Sequence, residues 1–271
     1  MQYWFPEIAP VRVLFDFLGI QIQWYGVLVA AGVLAGLAAA RSVYRKRGGA
    51  SSDIVDAAWF TVIAGLVGAR LWHVFIFQWG YYSRHISEIP QIWQGGIAIQ
   101  GGILAGLLTV YLFARKRALR FVSLTDALAV GLPIGQAIGR WGNFFNQELY
   151  GLPTTLPWGI YIEPDLRIAG FEAFSRFHPT FFYESTLTLL LFLLLWQRAP
   201  REHRFGALTG AYLIGYGLIR FVMDFLRIDP MPVLFGLRYS QYISIAFLAI
   251  GILITFARIP RHPLGDGDEG L

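Results

Sequence analysis

The stretch from Gly139 to Gly151 concentrates polar side chains among aromatic ones. Arg140 can donate two parallel hydrogen bonds to a phosphate, and the amides of Asn143 and Asn146 can hold hydroxyl or ester oxygens. Glu148 can accept a proton or orient a donor. These residue types favour a site for a polar, phosphate-bearing group. An amide-capped helix end with interfacial tryptophan and tyrosine is the alternative.

Arg220 is the second arginine whose position needs a chemical reason, because it lies in an apolar segment where a charge is costly. Tyr216 precedes it by four residues and Asp224 follows it by four, so all three share one face of a helix. An arginine–aspartate pair at this spacing can simply neutralise itself. The added tyrosine favours a binding site instead.

Arg70 also lies in the middle of an apolar segment. A charge at membrane depth faces either a partner or a cavity. Two interpretations therefore stand side by side: Arg70 contributes to a binding site, or it pairs with Asp126 or Glu184 and fixes helix packing.

Three further polar residues begin predicted helices. His178 stands before Pro179, which fits the first turn of a helix, and Tyr25 lies early in an apolar segment. Gln100 belongs to a glycine-rich stretch whose exposed backbone can approach a ligand. Each of these features also has a structural interpretation, as an interfacial side chain or as close helix packing.

The composition defines the setting of this chemistry. Of 271 residues, 56% are hydrophobic, 14% are charged and none is cysteine, whereas soluble domains carry about 25% charged residues. The chain is therefore predicted to be an all-α integral membrane protein. A disulfide-stapled domain, a zinc–thiolate or iron–sulfur site and a cysteine nucleophile of its own are excluded. Only Asp53 and Asp56 show the spacing of acidic metal ligands, so we expect no metal and no cofactor.

Seven windows are long and apolar enough for membrane helices, since about 20 residues cross the hydrocarbon core. No removable signal peptide is predicted at the start. The seven windows are about 20–40, 54–78, 97–114, 123–138, 180–196, 206–226 and 239–257.

The basic residues predict the orientation of these windows. When the sides alternate, thirteen of the 22 basic residues fall on one face and six on the other, and three lie at membrane depth. Cytoplasmic loops are enriched in lysine and arginine, so the N-terminus is predicted outside and the C-terminus inside. Clustering at segment ends also argues against a nucleic-acid partner, despite the net charge of +5.

We expect a single polytopic domain over residues 1–271. The longest polar segment, about 141–177, is too short for an independent soluble domain and is predicted to form a small extracytoplasmic head. Residues 258–271 are predicted to form a cytoplasmic tail.

The chain resembles the prolipoprotein diacylglyceryl transferases, bacterial membrane enzymes. Residues 139–151 match that family's pattern Gly-Arg-x-Gly-Asn-Phe-x-Asn-x-Glu-x-x-Gly at all eight fixed positions. The likeness continues through Trp24-Tyr25-Gly26, Gly68-Ala69-Arg70, Gly95-Gly96 to Gly101-Gly102, His178-Pro179 with Tyr183-Glu184, and Gly215-Tyr216-Gly217 leading to Arg220.

The resemblance implies a reaction and a location. The diacylglyceryl group of phosphatidylglycerol would move to the lipobox cysteine thiol of a preprolipoprotein, forming a thioether and releasing glycerol 1-phosphate. The reactive thiol would belong to the substrate, which suits an enzyme without cysteine. The chain would be a monomer in the bacterial cytoplasmic (inner) membrane, with seven helices and its active site on the extracytoplasmic side.

The resemblance also implies roles for the polar residues. Arg140 and Arg220 would clamp the phosphate and stabilise the charge that grows on it. Asn143 and Asn146 would position the headgroup, and Glu148 would orient Arg140 or these amides. The remaining predicted contacts with substrate come from Tyr25, Tyr216, Gly151 and Arg70.

Two residues depart from the family pattern. Family members commonly carry histidine where this chain has Gln100, and an uncharged amide cannot deprotonate a thiol. Glu148, Asp224 and His178 are the alternative bases, unless the phosphate clamp lowers the thiol pKa enough without one. Asp224 itself stands where glutamate is frequent. A transporter for a small anion or a lipid, and a catalytically impaired homologue, remain the competing interpretations.

Overall fold

A computed structural model describes residues 3–5, 7–17 and 20–257. In these ranges seven helices of 17 or more residues each overlap one of the predicted apolar windows. The first helix begins at Trp24 and not near residue 20 as predicted, because Ile20–Gln23 form a strand. The predicted tail, 258–271, lies outside the described residues. The helices are α1 Trp24–Lys46, α2 Ser51–Trp72, α3 Ile99–Lys116, α4 Phe121–Asn146, α5 Thr180–Arg198, α6 Ala207–Met223 and α7 Tyr239–Phe256.

Five of the described helices are long and apolar enough to cross a membrane: α1, α2 with its continuation to Phe77, α4, α5 and α7. The continuation of α2, His73–Phe77, is a π-helical turn. Helix α6 is apolar but shorter. These helices indicate a multi-pass membrane protein, as the composition predicts.

Three antiparallel hairpins stand beside the helices in the described part of the chain. They pair β1 Val13–Phe17 with β2 Ile20–Gln23, β3 Ile160–Tyr161 with β4 Arg176–Phe177, and β5 Val233–Leu234 with β6 Leu237–Arg238. None of them is predicted from the sequence. The strands β3 to β6 have two residues each, too few to show an alternation of apolar and polar residues. Ile20–Gln23 do alternate, but they are included in the first apolar window. The β3–β4 hairpin lies in the segment between α4 and α5, residues 147–179.

Glycines bring two helix pairs into backbone contact. A Cβ atom added to Gly32 of α1 would lie 2.7 Å from the carbonyl oxygen of Gly135 in α4. Gly101 of α3 packs with similar closeness against the backbone of Gly68 in α2. Larger side chains at these positions would separate the helices, so the predicted role of the small residues in helix packing is confirmed for Gly101.

The main apolar core lies at the end of the bundle where α1, α3 and α5 end and α2, α4 and α6 begin. Asp126 is fully buried there, and its carboxylate forms an ion pair with Arg47 at 2.9 Å. The same carboxylate accepts backbone hydrogen bonds from Gly206 at 3.0 Å and Thr209 at 2.9 Å. One side chain of α4 therefore holds the C-terminal end of α1 and the first turn of α6.

Replacing Asp126 by alanine should lower the free energy of unfolding by about 3–5 kcal/mol, because it leaves Arg47 and two backbone donors buried without their acceptor. Thermal unfolding in detergent measures the loss. Asp56→Ala is the matched control, since it breaks a pair between a more exposed aspartate and Arg117, at 2.9 Å, and should cost less than about 1 kcal/mol. Equal losses in the two variants would contradict the proposed role of Asp126.

Candidate active site

The end of α4 gathers the polar residues of the predicted motif. Arg140, Asn143 and Asn146 lie in its last two turns, and Gln147 then adopts a left-handed conformation with φ 53°. This reversal brings Glu148 back over the helix end. The Glu148 carboxylate accepts hydrogen bonds from the amide nitrogens of Asn143 at 2.8 Å and Asn146 at 3.3 Å.

Glu184, in the second turn of α5, is the centre of a buried ion cluster. Its side chain is 2% exposed. One carboxylate oxygen accepts from Arg220 at 2.9 Å and lies 3.5 Å from Arg227. The other forms an ion pair with Arg140. A single carboxylate thus joins α4, α5, α6 and the segment that follows α6.

The cluster continues along the end of α6. Asp224 binds Arg220 at 3.0 Å, and Asp229 binds Arg227 at 2.7 Å and Arg238 at 3.1 Å. Burial alone raises the pKa of Asp229, but the two arginines outweigh burial and hold it below its ordinary value. In the whole cluster four arginines face three carboxylates, so these seven residues carry one uncompensated positive charge.

Two predicted tyrosines lie on the helices that contribute to this region. Tyr25, at the start of α1, packs against the backbone of Gly142, where an added Cβ would lie 2.6 Å from the tyrosine ring. Tyr216 of α6 stacks on Tyr212 with ring centres 5.7 Å apart, and Gln136 donates a hydrogen bond to the Tyr212 hydroxyl at 2.9 Å. Polar groups therefore extend from the ion cluster along α4 and α6.

Gly151 lies in a main-chain junction below the head. Its N–H donates to the His178 carbonyl at 3.0 Å, and Leu152 donates to the Leu226 carbonyl at 2.8 Å. A Cβ on Gly151 would lie 2.9 Å from both the Leu226 oxygen and the Thr180 side chain. Close backbone packing is thus one reason for glycine here, and its contact with substrate stays a prediction.

His178 and Gln100 are predicted to belong to the site. In the described part of the chain, neither forms a hydrogen bond or an ion pair with the cluster. The His178 ring is 3.1 Å from the Tyr183 hydroxyl, which also accepts from Trp158 at 2.7 Å. Burial lowers the pKa of His178. Gln100 is the second residue of α3, next to the glycine that packs on α2.

Arg70 is buried, and the prediction that it pairs with Asp126 or Glu184 is wrong. Both carboxylates bind other arginines. Among the residues that the structure describes, Arg70 donates to carbonyl oxygens of the segment between α2 and α3 alone, and it lies over the Tyr82 ring at 5.0 Å. It thereby fixes that segment, and its role in substrate binding stays a prediction. The accepting carbonyls are those of Glu88, Ile89, Gly95 and Gly96, at 2.7–2.9 Å.

Arg227 is absent from the site residues predicted from the sequence, and Glu184 is predicted there only as an arginine partner. Arg227 instead falls among the basic residues placed outside the membrane. Its spacing could have indicated it: Arg227 follows Asp224 by three residues and would therefore lie one turn further along the helical face that carries Arg220. No sequence signal predicts that three arginines share the carboxylate of Glu184.

The helices and the ion cluster define a membrane protein in which arginines and carboxylates from several elements pair with one another. A family model for prolipoprotein diacylglyceryl transferase matches residues 12–257. The chain therefore belongs to the prolipoprotein diacylglyceryl transferase family, and it is a transferase.

Three relatives carry the name phosphatidylglycerol–prolipoprotein diacylglyceryl transferase. The protein of Acaryochloris marina is 39% identical over 97% of this chain and 97% of its own length. That of Synechococcus elongatus is 43% identical over 90% of this chain and 86% of its own. That of Fervidobacterium nodosum is 41% identical over 88% and 82%, respectively.

The lowered pKa of His178 predicts a pH dependence of stability. The unfolded chain binds this proton near pH 6.5, whereas the folded chain binds it only at lower pH, so the stability present above about pH 6.5 falls as the pH drops through that value. His178→Gln removes this group, and the control variant His203→Gln changes an exposed histidine between α5 and α6.

Thermal unfolding between about pH 7.5 and about pH 5.5 tests this expectation. His178→Gln should lose less stability on acidification than the wild type, and His203→Gln should behave as the wild type does. Parallel losses in all three proteins would show that His178 is not responsible.

Proposed function

We propose that the chain catalyses its family's reaction at the cluster around Glu184. The diacylglyceryl group of phosphatidylglycerol is transferred to the lipobox cysteine thiol of a preprolipoprotein. The sulfur forms a bond to the glyceryl carbon as the bond from that carbon to the phosphate oxygen breaks. Glycerol 1-phosphate leaves with the electron pair, and the thiol proton passes to a base.

The observation that carries this proposal is the excess of guanidinium groups in a buried position. Arg140 and Arg220 hold opposite oxygens of the same carboxylate, so their donors already converge on one anionic group. A phosphate that binds beside them meets donors that need little reorganisation as its charge grows. Asn143 and Asn146, fixed by Glu148, position the headgroup. Tyr25 and Tyr216 donate hydrogen bonds to it.

Glu148 is the base that the contacts favour. Asp224 is 2% exposed and bound to Arg220, so a substrate thiol has little access to its carboxylate. His178 binds Tyr183 outside the ion cluster. Glu148 uses one carboxylate oxygen for both amide contacts, which leaves the other oxygen for a thiol proton. Gln100 does not take this role.

The proposed setting follows from the charge distribution. The single domain crosses the cytoplasmic (inner) membrane of a bacterium seven times as a monomer, with the N-terminus outside. The cluster and the head then face the extracytoplasmic side, where preprolipoproteins arrive. The basic ends of α1, α3 and α5 face the cytoplasm.

Purified protein with phosphatidylglycerol and a lipobox peptide should yield a thioether-lipidated peptide and glycerol phosphate, detected by mass spectrometry. Arg140→Ala should lower turnover by about 100- to 1,000-fold, because one donor to the developing charge is lost. Arg84→Ala, at an exposed arginine, should leave turnover unchanged.

Two results would contradict this proposal. Near-normal turnover of Arg140→Ala would show that Arg140 does not bind the phosphate during the reaction. No product from the wild type, with activity restored by Gln100→His, identifies the chain as an impaired homologue.

The Glu184→Gln variant tests how the arginines are positioned, because it leaves all of them in place and changes only their shared partner. The amide keeps the shape of the side chain but removes the charge that holds three guanidinium groups in register. We expect kcat to fall by about 100-fold with a smaller change in KM, because donors displaced by an ångström misalign the reacting group.

Glu7→Gln is the control for this experiment, since Glu7 is an exposed glutamate that pairs with the buried Arg176 at 3.2 Å, away from the cluster. It should leave kcat unchanged. A change confined to KM in Glu184→Gln would instead show that Glu184 supports the binding of substrate and transition state equally.

A further inference from the structure

The C-terminal end of α1 carries a cavity of about 420 Å³ far from the candidate active site. Its lining presents three cations and one hydroxyl and contains no carboxylate. At 1.5 Å per residue, these cations lie roughly 24–32 Å along the helix from Tyr25. The lining residues are Ala38, Arg41, Ser42, Arg45 and Lys46.

Arg41 and Arg45 are exposed and form no ion pair or hydrogen bond within the described part of the chain. Other arginines at this end of the bundle do, and Arg47, Arg117 and Arg198 each bind a carboxylate. Like charges four residues apart on a helix repel each other. An anion between Arg41 and Arg45 would relieve that repulsion.

An apolar stripe leads from these cations toward the middle of α1. Leu34 and Ala38 precede Arg41 and Arg45 on the same helical face, at spacings of four, three and four residues. Leu34 is 65% exposed, and the small side chain of Ala38 leaves the groove open. A phospholipid has the same order of groups, with a phosphate at the membrane surface and acyl chains below it.

The neighbouring end of α5 fits this arrangement. Lys46 lies over the Trp196 ring at 5.2 Å, and tryptophan is enriched at the level of the lipid headgroups. The cations are therefore placed at headgroup depth.

We propose that this cavity binds the phosphate group of an anionic phospholipid, with an acyl chain along Leu34 and Ala38. Basic pockets at the cytoplasmic membrane face commonly hold anionic headgroups. The proposal rests on α1 as a membrane span and is independent of the proposed reaction. Free phosphate shares the cations but has no use for the apolar stripe.

Native mass spectrometry in a neutral detergent tests the site. Phosphatidylserine is the probe, because it is anionic and lacks the glycerol headgroup of the proposed substrate. The double variant Arg41→Gln/Arg45→Gln should bind it roughly tenfold or more weakly than the wild type does. Ala38→Trp keeps both charges but fills the groove, and it should also weaken binding.

The matched control is Arg115→Gln/Lys116→Gln, which removes two exposed cations from the end of α3. It should bind phosphatidylserine as the wild type does. Equal weakening in both double variants would overturn the proposal in favour of general attraction to a basic face. Displacement of the lipid by millimolar inorganic phosphate, or normal binding by Ala38→Trp, would overturn the lipid assignment.

Turnover of the lipobox peptide, measured on the same proteins, separates this site from the active site. Arg41→Gln/Arg45→Gln should keep wild-type turnover while it loses the lipid. If every protein lacks turnover and the binding differences persist, the proposed reaction fails and the lipid site stands.

Discussion

The buried carboxylate of Glu184 between three guanidinium groups is the constraint on which the rest of the structure depends. Charges removed from water are tolerated only when their partners are held at hydrogen-bond distance. The partners here come from α4, from α6 and from the segment after α6, so these elements must keep their positions relative to α5. Asp126 fixes the other ends of α4 and α6. Two carboxylates therefore hold the same pair of helices at opposite ends of the bundle.

The positions of the helices could be predicted from the sequence, because a run of about 20 apolar residues is rare outside a membrane-spanning helix. Their ends were harder to predict. The fourth window stops at residue 138, whereas α4 continues to Asn146. The polar residues of this extension satisfy one another or Glu184, so the loss of apolarity did not end the helix. Apolarity indicates contact with lipid, whereas the last two turns of α4 contact polar side chains.

The candidate site was predictable where its residues are close in sequence. The spacing of Arg140, Asn143, Asn146 and Glu148 was enough to place them together at a helix end. Arg227 was missed because its partner in α5 is distant in sequence. Arg70 was assigned the wrong partners for a different reason. Its acceptors are main-chain carbonyl groups, which every residue provides and which therefore leave no trace in a sequence.

The segment between α4 and α5, residues 147–179, is attached to the bundle partly through main-chain atoms around Gly151. Around Gly151, three segments of the chain are joined through N–H and carbonyl groups, and a side chain at this position would collide with two of them. These main-chain hydrogen bonds do not depend on which side chains form the outer surface of the segment. Substitutions on that outer surface should therefore leave the main-chain geometry around Gly151 unchanged.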